Sequence, residues 1–188
     1  LLAEAYCLRA FVHFDLINLY AKWYDPATAA TDKAVPLSLK IDIGQSFIPT
    51  TVEKVYEQVF ADLQEAEKYM QVEQQTGAYL YRFSKKALKA FQARVYLYHQ
   101  DWKQAQETAE SLLAACPLED LTTTEAQPWT YTSKEAILAL ETVSSTVMKE
   151  DMYVLDNISG KFNQIKEGDK YVDARLGNYL VDKYGTWY

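Results

Sequence analysis

Apolar residues recur at helical spacing along the first part of the chain and lose that rhythm after residue 117. Breaker residues interrupt the rhythm at 21–50, where Asp25-Pro26, Pro36 and Pro49 predict a long inserted loop. The pattern predicts a helical core over 1–117 and a loop-rich part over 118–188 with little strand, within a single domain spanning 1–188. The predicted helices cover about 1–20, 51–70, 85–99 and 102–115, with a last one at 173–183.

The first predicted helix carries two apolar faces. The first face contains Leu1, Ala5, Leu8, Val12, Leu16 and Leu19. The second face contains Tyr6, Ala10, Phe14 and Ile17. A helix that is apolar on two faces is normally covered on both, so we expect this helix to lie between neighbouring elements.

Short polar residues mark where the later helices begin. Thr50 with Glu53 forms a capping box before the second helix. Ser84 and Asp101 stand at the N-cap positions of the third and fourth helices, and Pro117 ends the last of them. These signals predict separate helices joined by defined turns.

The third and fourth helices match the tetratricopeptide pattern, a helix–turn–helix repeat of about 34 residues. The matching residues are Ala93, Tyr96, Trp102, Ala105, Ala109, Leu112 and Pro117. Small residues allow two helices to approach closely, and we expect Tyr96 and Trp102 to fill the core between them. The first two helices repeat the pattern around the insertion, which predicts two stacked helix pairs. An ordinary helical hairpin is the alternative interpretation.

Composition argues against several classes of protein. The 188 residues carry 19 basic and 26 acidic side chains, a net charge of −7, which argues against a nucleic-acid binder. No apolar run approaches the roughly 18 residues of a membrane span. Cys7 and Cys116 have neither zinc-site nor disulfide-framework spacing, so both are expected to be small buried groups.

Catalytic and metal-binding patterns are missing from the sequence. His13 and His99 are the only histidines, and each lies within a predicted helix, as packed histidines commonly do. No zinc-protease, serine-hydrolase, phosphate-loop or calcium-loop motif occurs. We therefore expect no catalytic residue, no metal ligand and no cofactor.

Aromatic residues are abundant, at 14% with 15 Tyr and 4 Trp, and several lie in predicted loops. Their rings can stack on sugars while their polar tips bond hydroxyl groups. Loop residues carry binding functions more often than helix residues. The predicted ligand-binding residues are Trp23, Tyr24, Trp129 and Tyr131, and Tyr79 and Tyr81 are further loop aromatics. The alternative is that these rings pack the loops onto the core.

Over residues 3–117 the chain resembles the SusD/RagB-like proteins in the order and spacing of its motifs. The segments that carry the resemblance are AEAYCLRAFVHFDL at 3–16, LYAKWY at 19–24, AVPL at 34–37, TVEKVY at 51–56, DLQEA at 62–66, RFSKKA at 82–87, ARVYLY at 93–98 and DW at 101–102. The resemblance implies an all-α fold of stacked tetratricopeptide-like helix pairs followed by an irregular part.

The resemblance also implies a function. Members of this family are non-catalytic lipoproteins on the extracellular face of the outer membrane. They capture glycans, or peptides in some branches, for a SusC-like TonB-dependent transporter. The chain is then expected to be an internal fragment, without the lipid-attachment cysteine. The alternative function is a tetratricopeptide scaffold that binds a protein or peptide partner.

Overall fold

The structure is a computed structural model of the chain. It describes residues 1–42, 44–116, 118–120 and 133–140, together with four two-residue strands. The chain separates into two compact units, Leu1–Cys116 and Pro117–Tyr188. The single-domain organisation remains a prediction of the sequence.

Four α-helices build the first unit: α1 (Leu2–Tyr20), α2 (Val52–Tyr69), α3 (Lys85–Tyr98) and α4 (Trp102–Leu113). A short 3-10 helix, Gly77–Tyr79, lies between α2 and α3. Helix α1 packs along α2, and α3 packs along α4. The prediction of an all-α fold is confirmed, and each of these helices begins and ends within a few residues of its predicted bounds.

The start of α2 differs by one residue from the prediction. Thr51 is the N-cap, and its hydroxyl accepts from the Lys54 amide at 3.4 Å. Thr50 instead pairs with the inserted loop, because its carbonyl accepts from Ala34 at 2.8 Å and its amide donates to Val35 at 3.4 Å. The predicted capping box at Thr50 is therefore wrong, since a tertiary contact holds Thr50 in an extended conformation.

The caps of α3 and α4 differ in kind. Ser84 caps α3 as predicted, and its hydroxyl accepts from the Ala87 amide at 3.2 Å. Asp101 precedes α4 but makes no side-chain cap bond. Its carboxylate lies 2.7 Å from the His99 ring, so it contacts the turn before the helix rather than the first turn of α4.

One face of α1 forms the centre of the core. Its buried residues are Ala3, Cys7, Ala10, His13, Phe14 and Ile17. On the opposite face, Leu8, Val12 and Leu19 are more than half exposed within the described part of the chain. The expectation that α1 is covered on both sides is thus met on one side only among the described residues.

The position of Trp102 differs from the expectation that its ring fills the core. Its side chain is 61% exposed at the first position of α4, and Ala109 is exposed on the same helix. The buried positions of α4 are Ala105 and Leu112. Tyr96 is half-buried and stacks on Phe60 at 5.3 Å. The tetratricopeptide spacing predicts the helix pair correctly, but Trp102 lies in solvent rather than in the core.

The inserted loop is packed rather than free. Ala29 and Val35 are buried, and Lys33 forms an isolated β-bridge with Thr51. The amide of Val52 donates to Asp32 at 3.0 Å, and the amide of Glu53 donates to Ala29 at 3.0 Å. The loop thereby satisfies amides at the beginning of α2 that have no partner within the helix.

In the second unit, the described strands form two antiparallel pairs. They are β1 (Lys166–Glu167) with β2 (Lys170–Tyr171), and β3 (Asp182–Lys183) with β4 (Thr186–Trp187). The predicted helix at 173–183 is wrong at its end, where β3 lies. Its remaining residues, 173–181, lie outside the described residues.

Candidate functional site

Trp23 is the most exposed of the predicted ligand-binding residues. It follows α1 by three residues, and 82% of its surface is open to solvent. Lys22 beside it bonds Asp32 at 2.6 Å, which ties this part of the chain to the inserted loop. The indole therefore projects from a segment held at both sides, by the end of α1 and by the loop.

Tyr24 has a different position and is half-buried. Its ring lies 3.9 Å from the His99 ring and 5.2 Å from the Tyr56 ring, measured between centroids. Its carbonyl accepts from the Gln100 side-chain amide at 2.6 Å. Gln100 has a φ of 66°, a conformation that non-glycine residues rarely adopt and that makes the turn between α3 and α4. Tyr24 thus attaches the inserted loop to this turn.

The cluster beneath Tyr24 is aromatic throughout. His99 lies 5.0 Å from Phe60, edge to face, and 5.2 Å from Tyr56. Burial raises the pKa of Tyr56 to about 12 and also raises the pKa of Tyr24. Both phenols are therefore neutral donors at physiological pH. This cluster fixes Tyr24, the chain neighbour of Trp23, against the core.

The predicted site residues therefore take separate roles. Trp23 presents an open ring face, whereas Tyr24, the next residue, contacts the core. Trp129 and Tyr131 lie outside the described residues. The ligand-binding role of all four stays a prediction.

An ion pair between the partly exposed Arg9 of α1 and the buried Asp62 of α2 was not predicted from the sequence. Arg9 donates two hydrogen bonds to the Asp62 carboxylate, at 2.8 and 2.6 Å, and Gln58 donates a third at 2.8 Å. Asp62 is 1% exposed. Hydrogen bonding to Asp62 raises the pKa of Arg9, whose guanidinium also lies over the Tyr6 ring at 5.4 Å. The available signal was an aspartate on the apolar face of α2.

An apolar groove runs along the open face of α1, with a volume of about 580 Å³. Its apolar wall comprises Leu8, Val12, Leu16, Tyr20, Val35, Pro36 and Phe47. Arg9 and His13 lie at its base. The four α1 residues of the wall are spaced by four, so they form one continuous ridge along the helix.

His13 makes the stability of this region sensitive to acid. It is buried, and the Ser38 amide donates to its Nε2 at 3.4 Å. Burial lowers the pKa of His13, whereas the Asp62 charge and a hydrogen bond with the Arg9 backbone oppose this shift and the Arg9 charge adds to it. Because the folded pKa lies below the unfolded value of about 6.5, neutral His13 stabilises the fold above that pH. This contribution is lost as the pH falls through the folded pKa.

Between about pH 7 and pH 5, we expect the melting temperature of the wild type to fall more steeply with decreasing pH than that of the His13→Gln variant. The glutamine oxygen can still accept from Ser38 but does not titrate. Differential scanning calorimetry across this range measures both slopes. Equal slopes for the two proteins would contradict a buried neutral histidine.

Within the described residues, no helix has the length and apolar character needed to cross a bilayer. The same part of the chain contains no group of three or more His, Cys, Asp or Glu side chains placed to hold a metal ion. Cys7 and Cys116 are both buried free thiols, as predicted. Burial raises the pKa of Cys7 to about 12, so its thiol is unreactive at neutral pH.

Comparison with known sequences supports one family. The pattern of a SusD-like family, described as starch-binding and associating with the outer membrane, matches residues 1–97. A curated SusD-like protein of Formosa agariphila is 32% identical over 118 residues. This match covers 61% of the chain and 20% of the relative, so the chain spans about a fifth of the length of that protein.

Solved structures agree with this comparison. A SusD superfamily protein from Bacteroides fragilis is 27% identical, with a TM-score of 0.57 over 73% of this chain and 32% of that one. A SusD-like carbohydrate-binding protein from Bacteroides vulgatus is 21% identical, with a TM-score of 0.60 over 90% of this chain and 34% of that one. The second similarity concerns the fold alone.

Proposed function

The chain belongs to the SusD-like family, and from this premise we propose that it forms part of a surface protein that binds glycan for import. The observation that carries the proposal is Trp23, an open indole whose chain neighbour Tyr24 packs against His99. The bonds of Lys22 and of the Tyr24 carbonyl fix the backbone on both sides of Trp23, which limits the conformational freedom lost when a ligand stacks on the ring. Trp23 is therefore the first ligand contact we assign, with Tyr24 as its support.

The proposal places the full-length protein at the outer membrane, on its extracellular face, held by a lipid anchor outside residues 1–188. There it delivers its glycan to a SusC-like TonB-dependent transporter. The description of the matching family as associating with the outer membrane supports this location. The net charge of −7 also argues against nucleic acid and against an anionic lipid surface as the partner.

We further propose that the protein binds without catalysis. Hydrolysis of glycosidic bonds requires two carboxyl groups facing one another across the substrate. In the inserted loop, the Asp32 carboxylate is engaged by Lys22, the residue before Trp23, and by Thr28 at 2.7 Å. Hydrogen bonding to Lys22 lowers the pKa of Asp32, which makes it a poor proton donor at neutral pH.

Replacing Trp23 with Ala is expected to weaken binding of a maltooligosaccharide roughly fivefold or more. The expectation uses about 1 kcal/mol, the low end for stacking on an aromatic ring. Calorimetric titration of the full-length protein with the sugar measures the change. Tyr24→Ala is unsuitable as a partner variant, because it would also remove packing against His99.

Trp102→Ala provides the matched control, since Trp102 is also an exposed tryptophan of the same unit. We expect its sugar affinity to remain that of the wild type. Equal affinities for the wild type and both tryptophan variants would remove Trp23 from the ligand site. Failure of the wild type to bind any glycan would contradict the proposed function itself.

The apolar groove on α1 favours a second candidate function, a tetratricopeptide scaffold for a protein or peptide partner. Its ridge of residues spaced by four resembles the contact surface of one helix for another. Peptide-array binding that is abolished by Val12→Gln, in a protein that binds no glycan, would favour this function over glycan capture.

A further inference from the structure

Two backbone hydrogen bonds close the turn between α3 and α4. The Asp101 amide donates to the Tyr96 carbonyl at 2.9 Å, and the Gln100 amide donates to the Leu97 carbonyl at 3.2 Å. Together these bonds form a Schellman motif, a helix ending that places one residue in the left-handed conformation. That residue is Gln100, with a φ of 66°. Glycine, or less often asparagine, usually occupies this position, because other side chains crowd the backbone there.

Packing gives no reason for a long side chain at position 100. Gln100 is exposed, so its methylene groups remove little apolar surface from water. Its side-chain amide instead donates to the Tyr24 carbonyl at 2.6 Å, across 76 positions of sequence. Glycine would suit the backbone better but cannot make this bond. A strained backbone conformation that is kept for one specific contact points to a functional role for that contact.

The residues on either side of Gln100 act on the same tyrosine. The His99 ring lies 3.9 Å from the Tyr24 ring, and His99 Nδ1 donates to the Asp101 carboxylate at 2.7 Å. Asp101 stands at the N-cap of α4, where aspartate commonly accepts from an amide of the first turn, but its side chain makes no such bond. Asp101 thus orients the ring that contacts Tyr24 instead of capping its own helix.

We propose that residues 99–101 form a clamp on Tyr24 that positions Trp23 for its ligand. The clamp holds Tyr24 by both its ring and its carbonyl oxygen, so the peptide bond that joins Tyr24 to Trp23 is also held in place. The indole itself stays open to solvent. The inference rests on the proposed glycan-binding function and makes Gln100 a positioning residue that acts through Trp23 and touches no ligand.

The first test replaces Gln100 with Glu in the full-length protein. The carboxylate has the same length but only accepts hydrogen bonds, so it cannot bond the Tyr24 carbonyl. We expect maltooligosaccharide affinity, measured by calorimetric titration, to fall towards the roughly fivefold loss expected for Trp23→Ala. Gln75→Glu is the matched control, because Gln75 also donates to a backbone carbonyl, that of Phe83 in the loop before α3. Its affinity should equal that of the wild type, and equal affinities for the two glutamate variants overturn the clamp.

The second test separates positioning from stability. Gln100→Asn and Gln100→Ala both remove the bond to Tyr24, but asparagine adopts the left-handed conformation more readily than alanine. We therefore expect the Asn variant to melt at a higher temperature than the Ala variant in differential scanning calorimetry, while both lose the same factor in sugar affinity. Affinities that follow the melting temperatures would show that Gln100 serves the fold alone and would overturn the proposal.

A double variant shows whether Gln100 acts through Trp23. If it does, adding Gln100→Glu to Trp23→Ala causes no further loss of affinity, because the ring to be positioned is already absent. Losses that multiply would contradict the inference. Sugar binding that Trp23→Ala weakens and Gln100→Glu does not would refute the clamp and leave the proposed function standing. A wild type that binds no glycan would refute both.

Discussion

Replacing Phe91 with Ala should lower the free energy of unfolding by about 3–5 kcal/mol, the usual cost of deleting a buried ring. Phe91 is 5% exposed on α3. Its ring lies 5.4 Å from Phe11, 5.5 Å from Phe14 and 6.4 Å from Phe83. The ring thus links α3 to α1, and its removal would leave a cavity where the two helix pairs meet. Chemical denaturation followed by circular dichroism measures the loss.

Trp102→Ala is the control for this prediction, because it deletes a larger ring from a position open to solvent. We expect a loss of no more than about 1 kcal/mol, since surface substitutions change stability little. The tetratricopeptide spacing alone leads to the opposite ranking, with Trp102 in the core. A cost at Trp102 equal to that at Phe91 would therefore show that α4 packs as the repeat pattern predicts and not as the structure has it.

Replacing Arg9 with Ala should lower the free energy of unfolding by about 3 kcal/mol. The Asp62 carboxylate would keep its bond from Gln58 but lose both bonds from the guanidinium while remaining buried. Removing one member of a buried pair costs about 3–5 kcal/mol, because the other charge is left uncompensated. We take the low end of this range since Arg9 is about one-third exposed. Denaturant unfolding of the variant measures the loss.

Two further variants separate charge from packing. Lys68→Ala breaks the exposed pair with Glu65 on α2 and should leave the free energy of unfolding nearly unchanged. The double variant Arg9→Met with Asp62→Leu removes both charges of the pair and should recover most of the stability lost in Arg9→Ala. If Arg9→Ala costs as little as Lys68→Ala, the pair between α1 and α2 contributes nothing to the fold.

The helices could be predicted from the sequence because the relevant information is local. Apolar spacing and the cap at Ser84 identify α3 without reference to any other part of the chain. The boundary of α2 was missed by one residue because Thr50 pairs with Ala34 and Val35. Propensity and capping act within one turn, whereas this pairing depends on where the inserted loop folds back.

In the candidate site, too, local sequence identified the residues, whereas tertiary contacts separated their roles. The sequence identified Trp23 and Tyr24 as loop aromatics, but adjacent residues of one type gave no reason to separate them. The structure separates them, because the turn at Gln100 captures the Tyr24 carbonyl and His99 contacts its ring. Arg82 likewise donates to the Glu4 carboxylate at 2.9 Å, a bond that the sequence does not indicate because the two residues are 78 positions apart.

Spacing along the chain by itself determined the four helices and the long insertion between the first two, because a helix repeats its faces every 3.6 residues. Tertiary structure decided which of two apolar faces of α1 is buried, that Arg9 meets Asp62, and that Trp102 lies in solvent. A helical pattern predicts which residues share a face, but not which other element that face contacts. The choice among faces depends on the total apolar surface removed from water, which is a property of the assembled helices.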